Sequence, residues 1–333
     1  MIGQNYDLET RHWGISEADF PFGGKKEDQL TYLLRYAMLA PSSHNTQPWS
    51  FSIDDEGVLI SPAFDRWLEV ADSDKREIYI SIGCALENLL VAADHFGFGT
   101  QLKFLPEPHD PGPAVRVKLE KRGSEESGEL FDQITARHTN HNVYDGKPIA
   151  EDKLKLIQGC CEEDGLMLHL TDDPEIKRTV DDLMVEGDAI QFSDPDWREE
   201  LGYWLGRGVF GTSWVTSKMS QLAVTYFNMG KNTGKKDSEL LMSAPVLGVI
   251  SSESDDRKDQ IKAGQVFERV SLVATADDIR LHPMSQILEI PELKGRVSSL
   301  IPVSDVVPQH TFRLGYAEPE EHTPRWPVEA VLD

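Results

Sequence analysis

The sequence predicts an α+β protein made of two similar halves, each a mainly antiparallel sheet flanked by helices. Three observations predict it. An amphipathic helix pattern occurs twice, 181 residues apart, with a small residue at the same place in each copy. Short alternating runs that read as strands surround both copies. The chain has 333 residues, room for about two domains at roughly 150 residues each.

Taken in order, the first element is a helix over Gln29–Leu39, followed by the polar segment Ala40–Trp49. Strand patterns follow at Trp49–Ile53, Gly57–Ser61 and Ala114–Leu119, the last alternating most cleanly. Between them lies the first helix copy, Ser81–Phe98. Ile82, Leu86, Leu89, Leu90 and Ala93 make its apolar stripe, and Gly97 stands where a helix stops. The second copy, Lys262–Ile279, pairs Gly264 with Gly83, Glu268 with Glu87 and Ala274 with Ala93. Its own neighbours are a helix at Glu151–Gly159 and strand patterns at Met167–Leu170, Val246–Ile250 and Thr311–Tyr316. Helices and strands are mixed without a regular βαβ alternation. A polar linker at 124–130 divides the chain into halves at 1–128 and 129–333. The segment 191–236 has no counterpart in the first half. It interleaves Trp197, Tyr203, Trp204, Phe210, Trp214, Tyr226 and Phe227 with Gly202, Gly206, Gly208 and Gly211. It reads either as a pair of core helices or as a lid that closes over a flat ligand.

Composition removes several function classes. The formal net charge of −24 argues against a nucleic-acid partner and against docking on anionic lipid. Short acidic runs such as Asp54–Glu56 and Glu162–Asp164 read as solvated surface. Three cysteines, two of them adjacent (Cys160 and Cys161), form no paired framework, and no signal-peptide pattern opens the sequence; a reducing, cytoplasmic setting is expected. No apolar run approaches the ~18 residues of a membrane span.

The motifs for common chemistries are missing. The sequence has no GxGxxG, phosphate loop, HExxH or GxSxG. His138 and His141 could share a helix face, but a metal needs a third ligand and none is near, so no metal is expected. The segment that stands out is Pro41-Ser-Ser-His-Asn-Thr-Gln-Pro-Trp49. It sets hydroxyls, an imidazole and two carboxamides between two prolines, after a helix and before a strand. Such neutral donors and acceptors suit a polar heteroaromatic edge; a capped turn is the plainer alternative.

This segment resembles the PSSxNxQPW signature of the nitroreductase family, FMN-dependent enzymes that work as intertwined homodimers. Arg137-His-Thr-Asn-His141, with Pro148-Ile149 beyond it, is similar to the family's RxSxR segment. His282-Pro-Met-Ser-Gln286 resembles the loop that faces the flavin N5 edge, and Leu314-Gly-Tyr316 and Pro324–Glu329 resemble the last strand and basic tail. The resemblance covers residues 29 to 331, apart from 191–236. The first motif occurs only in the first half and the others only in the second. The resemblance therefore implies a fused pseudo-dimer with one complete flavin site, either monomeric or further paired.

On that resemblance the cofactor is FMN, with Ser42, Ser43, Asn45, Gln47, Arg137, Thr139, His141, Pro283, Met284, Ser285, Gln286 and Arg325 as its binding residues and His44 toward the substrate. Arg137 and Arg325 are the phosphate candidates, because a guanidinium fork matches phosphate oxygens. His141 stands where the family has a second Arg or Lys, which would make affinity depend on its protonation. The implied activity is ping-pong reduction of nitroaromatics, quinones or other small flat acceptors by NAD(P)H, with no side-chain acid or base. Two other classes stay open: a protein that stores or sequesters FMN, and a flavin-free scaffold.

Overall fold

Three aspartates start helices by giving their carboxylates to free backbone N–H groups. Asp72 accepts from Glu77 N and Ile78 N (2.8 and 3.1 Å), Asp173 from Glu175 N (2.7 Å), and Asp256 from Asp259 N (2.9 Å). In a computed structural model, which describes residues 9–104, 112–122, 128 and 130–333, these contacts hold the first turns of the three longest helices, Asp173 and Asp256 as N-caps and Asp72 from the preceding loop.

The first half runs α1 (Lys26–Ala37), β1 (Trp49–Ile53), β2 (Gly57–Pro62), α2 (Arg76–His95), β3 (Phe98–Phe104) and β4 (Val115–Lys121). The second runs α3 (Phe131–Ala136), α4 (Glu151–Gln158), β5 (Leu166–Thr171), α5 (Pro174–Ser193), α6 (Pro195–Gly206), α7 (Trp214–Tyr226), α8 (Gly230–Ser243), β6 (Val246–Ser252), α9 (Arg257–Ala276), β7 (Arg280–Pro283), α10 (Pro291–Ser298) and β8 (Val307–Gly315). Each half contributes a four-stranded antiparallel sheet. The orders are β1-β2-β4-β3 and β5-β6-β8-β7, the same path traced twice.

The repeated helices are α2 and α9, and they pack on each other. A Cβ on Gly83 would sit 2.8 Å from Gly264 Cα, and a Cβ on Gly264 would sit 2.9 Å from Gly83 Cα. Only glycine allows two backbones this close. Around this crossing one core draws on both halves, from Leu30, Leu86 and Val117 to Val266, Val270 and Leu314. A second core lies between α5, α8 and α10, and a third joins Trp197, Trp204, Val209 and Val224 to Leu68 and Ala71 of the first half.

Several expectations change in detail. Both repeated helices begin earlier than their apolar stripes, at Arg76 and Arg257. The edge strands β3 and β7 are additions to the sequence reading. The segment 191–236 is helical, comprising the end of α5, then α6, α7 and the start of α8. His138 and His141 do not share a helix: α3 ends at Ala136 and Arg137 is extended. The linker expected at 124–130 lies outside the described residues apart from Gly128 and Leu130. Among the described residues no helix is long and apolar enough to cross a membrane.

Candidate functional site

The segment after α1 is built against its own backbone preferences. His44, Asn45 and Gln47 have φ of 49°, 52° and 54°, a region that costs side-chain-bearing residues about 1 kcal/mol or more each. Hydrogen bonds hold it there. Gln47 N donates to Ser42 Oγ (2.9 Å), Asn45 N to Ser42 O (2.9 Å), and Trp326 N to Gln47 Oε1 (3.0 Å). Ser43 Oγ donates to Glu77 Oε2 (2.6 Å), tying the segment to the first turn of α2.

Asn45 is the junction. Its Nδ2 donates to Val209 O (2.7 Å) in the α6–α7 connection and to Pro324 O (2.9 Å) in the C-terminal tail. Its Oδ1 accepts from Arg325 Nη1 (2.9 Å). Arg325 is buried and also donates to Thr323 Oγ1 (2.7 Å), Leu39 O (3.0 Å) and Ala40 O (3.3 Å), with its guanidinium 4.7 Å from the Trp13 ring centre. Burial and the nearby Arg137 lower its affinity for its proton.

These contacts border a cleft of about 320 Å³ at the seam between the halves, within the size range of small-molecule sites. Pro41, Ser42, Ser43, His44 and Asn45 form one wall with Glu77, Ile80 and Cys84 of α2. Thr139, His141, His282, Pro283, Ser285, Gln286, His310 and Arg325 form the other, and Phe192, Trp197, Leu201 and Phe210 roof it. Of the thirteen residues expected at the site, ten line this cleft.

The structure does not bring the other three to its wall. Gln47 is fully buried behind the motif, where it braces the tail. Met284 points into the core between α5, α8 and α10. Arg137 lies buried beside the cleft, with Nε 3.2 Å from Glu268 Oε1 and Nη2 donating to Leu39 O (3.1 Å). Glu268 of α9 lies beside the guanidinium that the resemblance offered to a phosphate.

Four carboxylates also line the cleft, and no motif pointed to them: Glu77, Asp188, Asp237 and Glu289. Burial raises the Asp188 carboxyl to about 7, helped by Asp237, and raises Glu289 well above the usual range, helped by Glu77. Glu77 differs: burial opposes its charge, but the Arg76 guanidinium and the hydrogen bond from Ser43 overcome that and keep it ionised. His44, His282 and His310 are neutral, since burial pushes His44 and His310 down to about 4 and His282 well below its ordinary value.

The cleft combines flat apolar surface, neutral donors and acceptors, and a buried guanidinium. Several buried polar atoms on its lining residues have no hydrogen-bond partner: Asp188 Oδ2, Trp197 Nε1, His310 Nε2 and Arg325 Nε. Unmet polar capacity around an apolar slot fits a planar, polar, phosphate-bearing ligand such as a flavin mononucleotide. Thr139, Thr323 and Arg325 suit its phosphate, and the hydroxyl and amide side chains suit its ring edge and ribityl chain. Among the described residues no group of three His, Cys, Asp or Glu is placed to hold a metal.

No family model matches the chain. A Mycobacterium tuberculosis H37Rv protein provisionally named NAD(P)H nitroreductase Rv3131 is 25% identical over 313 residues, 90% of each chain. A second protein of that strain, provisionally named NAD(P)H nitroreductase acg, is 24% identical over 320 residues, covering 92% of this chain and 95% of its own. Among solved structures, a provisionally named nitroreductase of Anabaena variabilis superimposes with a TM-score of 0.50 at 11% identity, over 78% of this chain and 69% of that one. At that identity the likeness is one of fold.

Proposed function

We propose that this chain, which belongs to the nitroreductase family, is a fused pseudo-dimer that holds one FMN in the seam cleft and acts as an NAD(P)H-dependent oxidoreductase. One observation carries the reading: Ser42–Asn45 of the first half meet Thr139, Ser285, Gln286 and Arg325 of the second around a single cleft. The common strand order and the α2–α9 crossing support a fusion of two protomers, with halves at 1–128 and 129–333.

When bound, FMN supplies the hydride-transfer chemistry. The chain's residues bind and shield. Arg325 and Thr139 would hold the phosphate, with Asn45 fixing the guanidinium so that little ordering remains to be done on binding. Ile80 and Phe267 give flat apolar contact. Glu289, kept protonated by burial, and Asp188, raised by burial to about 7 and so about half protonated at neutral pH, spare an anionic ligand part of the repulsion that four ionised carboxyls would impose. His44, neutral and edge-on to Phe210 at 6.4 Å, stands where the motif meets the roof and would touch a flat acceptor such as a quinone or nitroaromatic. The free cysteines Cys84, Cys160 and Cys161 support a reducing, cytoplasmic setting.

The roof favours a second reading, that FMN is stored rather than turned over. It is fastened at two places: Val209 O accepts from Asn45, and Glu200 accepts from Val70 N (3.1 Å) and Ala71 N (3.0 Å). Mixing FMN-loaded protein with NAD(P)H without oxygen separates the readings. Bleaching of the flavin, with steady turnover on a quinone, is expected for the oxidoreductase. Loaded protein that stays yellow overturns that reading in favour of storage, and protein that takes up no FMN overturns both.

A further inference from the structure

His310 lies on β8 in the cleft wall, on an imidazole whose two nitrogens are in different situations. Nδ1 is 3.0 Å from Ser285 Oγ, whereas Nε2 is buried without a partner. Ser285 fixes which nitrogen carries the proton. Its Oγ has two further contacts, an accepted bond from Thr311 N (3.0 Å) and a donated bond to Thr311 O (3.1 Å). A serine hydroxyl has one proton, and all three contacts are hydrogen bonds only when it goes to the carbonyl oxygen, which also accepts from Met284 N (2.8 Å). The contact to His310 is then satisfied only if Nδ1–H donates to Oγ. With the other tautomer, two lone pairs would face each other across one of these contacts. The ring is neutral, so Nε2 is left as a bare acceptor.

The residues around Nε2 do not satisfy it. Phe267 packs edge-on at 4.2 Å between ring centres. Two charged groups of α2 act on this imidazole: Glu77, an ionised carboxylate engaged with Arg76 and Ser43 that has no proton to give, and Arg76, whose Nη1 and Nη2 are committed to Gln309 O and Glu77 Oε1. An unfilled buried acceptor in a ligand cleft selects for a ligand with an N–H or O–H at that point.

We infer that His310 Nε2 accepts a hydrogen bond from the ring imide N–H of the isoalloxazine, making His310 a cofactor-recognition residue positioned by Ser285. The inference rests on the FMN reading above. The chemistry singles out that donor, because the oxidised isoalloxazine has one ring N–H, the imide, and its other ring heteroatoms are acceptors. The ribityl hydroxyls and the carboxamide of a nicotinamide are the competing donors.

The test compares FMN with 3-methyl-FMN, in which the imide proton is replaced, by fluorescence titration of flavin-free protein. Wild type is expected to favour FMN by about tenfold, the effect of leaving one buried acceptor unsatisfied. His310→Phe keeps a ring but no acceptor and should lose that preference, whereas His310→Gln, whose Oε1 can accept, should recover much of it. Equal binding of the two flavins by wild type overturns the inference and leaves the FMN reading standing, with the ribityl chain or nicotinamide as the partner. A preference that survives in His310→Phe also overturns it, as simple exclusion of a methyl group. If wild type binds neither flavin, the FMN reading falls and this inference with it. A second measurement is independent of binding strength. In ¹⁵N-histidine-labelled, flavin-free protein, the His310 Nε2 signal should be that of an unprotonated nitrogen, moving on addition of FMN but not of 3-methyl-FMN. A protonated Nε2 in the flavin-free protein contradicts the tautomer and overturns the inference.

Discussion

Gly83 and Gly264 face each other where α2 and α9 cross, and each occupies space the other's side chain would need. The residues that press on them correspond as well: Ile261 is the near backbone neighbour of Gly83, and Ile80 that of Gly264. Ile80 and Ile261 are themselves 181 positions apart, as the two glycines are. The crossing has approximate two-fold symmetry, the form expected of an interface between identical partners.

Gly83→Ala and Gly264→Ala should therefore do similar damage. Backbone opposes backbone at both positions, so neither Cβ can be accommodated by moving a flexible side chain. We expect each to cost about 3 kcal/mol or more, at the upper end for overpacking, lowering Tm by roughly 5 °C or more. Thermal denaturation checks this; an alanine tolerated at either site would mean the helices can separate at little cost.

The two arginines expected at a phosphate should behave differently. Arg325→Ala removes the cleft's guanidinium and releases Asn45, and FMN affinity should fall at least tenfold from lost charge-assisted contacts. Arg137→Ala strands Glu268, a buried carboxyl raised to about 7. Its main effect should be lower stability, with flavin affinity changed less. Titration and denaturation of both variants decide; the reverse ranking would place the phosphate at Arg137.

Asn45→Ala loses its bonds to Val209 O, Pro324 O and Arg325, and puts alanine at a φ that asparagine tolerates better. The roof should loosen first where Gly208 and Gly211 take φ of 77° and 75°. Amide exchange at those two positions should accelerate about tenfold, from loss of one anchoring bond. Unchanged exchange would show that the Glu200 attachment suffices.

Asp188 gives a pH test whose sign is fixed. Its folded carboxyl is raised from 3.8 to about 7 by burial and by Asp237. Between those values the folded state binds more protons than the unfolded state, so stability falls as pH rises through the window and then levels. Asp188→Asn removes that slope. The stability difference should move in favour of the variant by on the order of 4 kcal/mol between about pH 4 and about pH 8. Parallel pH profiles would mean that Asp188 is better hydrated than its position implies.

The sequence carried the frame of this fold and part of its site. The α2–α9 echo was legible because an apolar stripe and a small residue survive in both copies. The strands β3 and β7 were not. Residues 101–103 of β3 are exposed, β7 is short and ends at Pro283, and edge strands of this kind carry little alternation. The Ser42–Asn45 segment was legible because its chemistry is contiguous. Asp188, Glu289 and His310 were not, because the chain returns to the cleft from separate elements and each is a lone polar residue in sequence. His310 had a weak signal: Gln309-His310-Thr311 is a polar run inside a strand that is buried on both faces. Arg137 shows the opposite limit, since a motif resemblance can nominate a cation but cannot show that Glu268 lies beside it.

The most direct measurement is the stoichiometry of FMN binding, by titrating flavin-free protein of known monomer mass and following both absorbance and fluorescence. The account expects one FMN per chain in wild type and a sharp loss of affinity in Arg325→Ala. Two flavins per chain, or none, would contradict it.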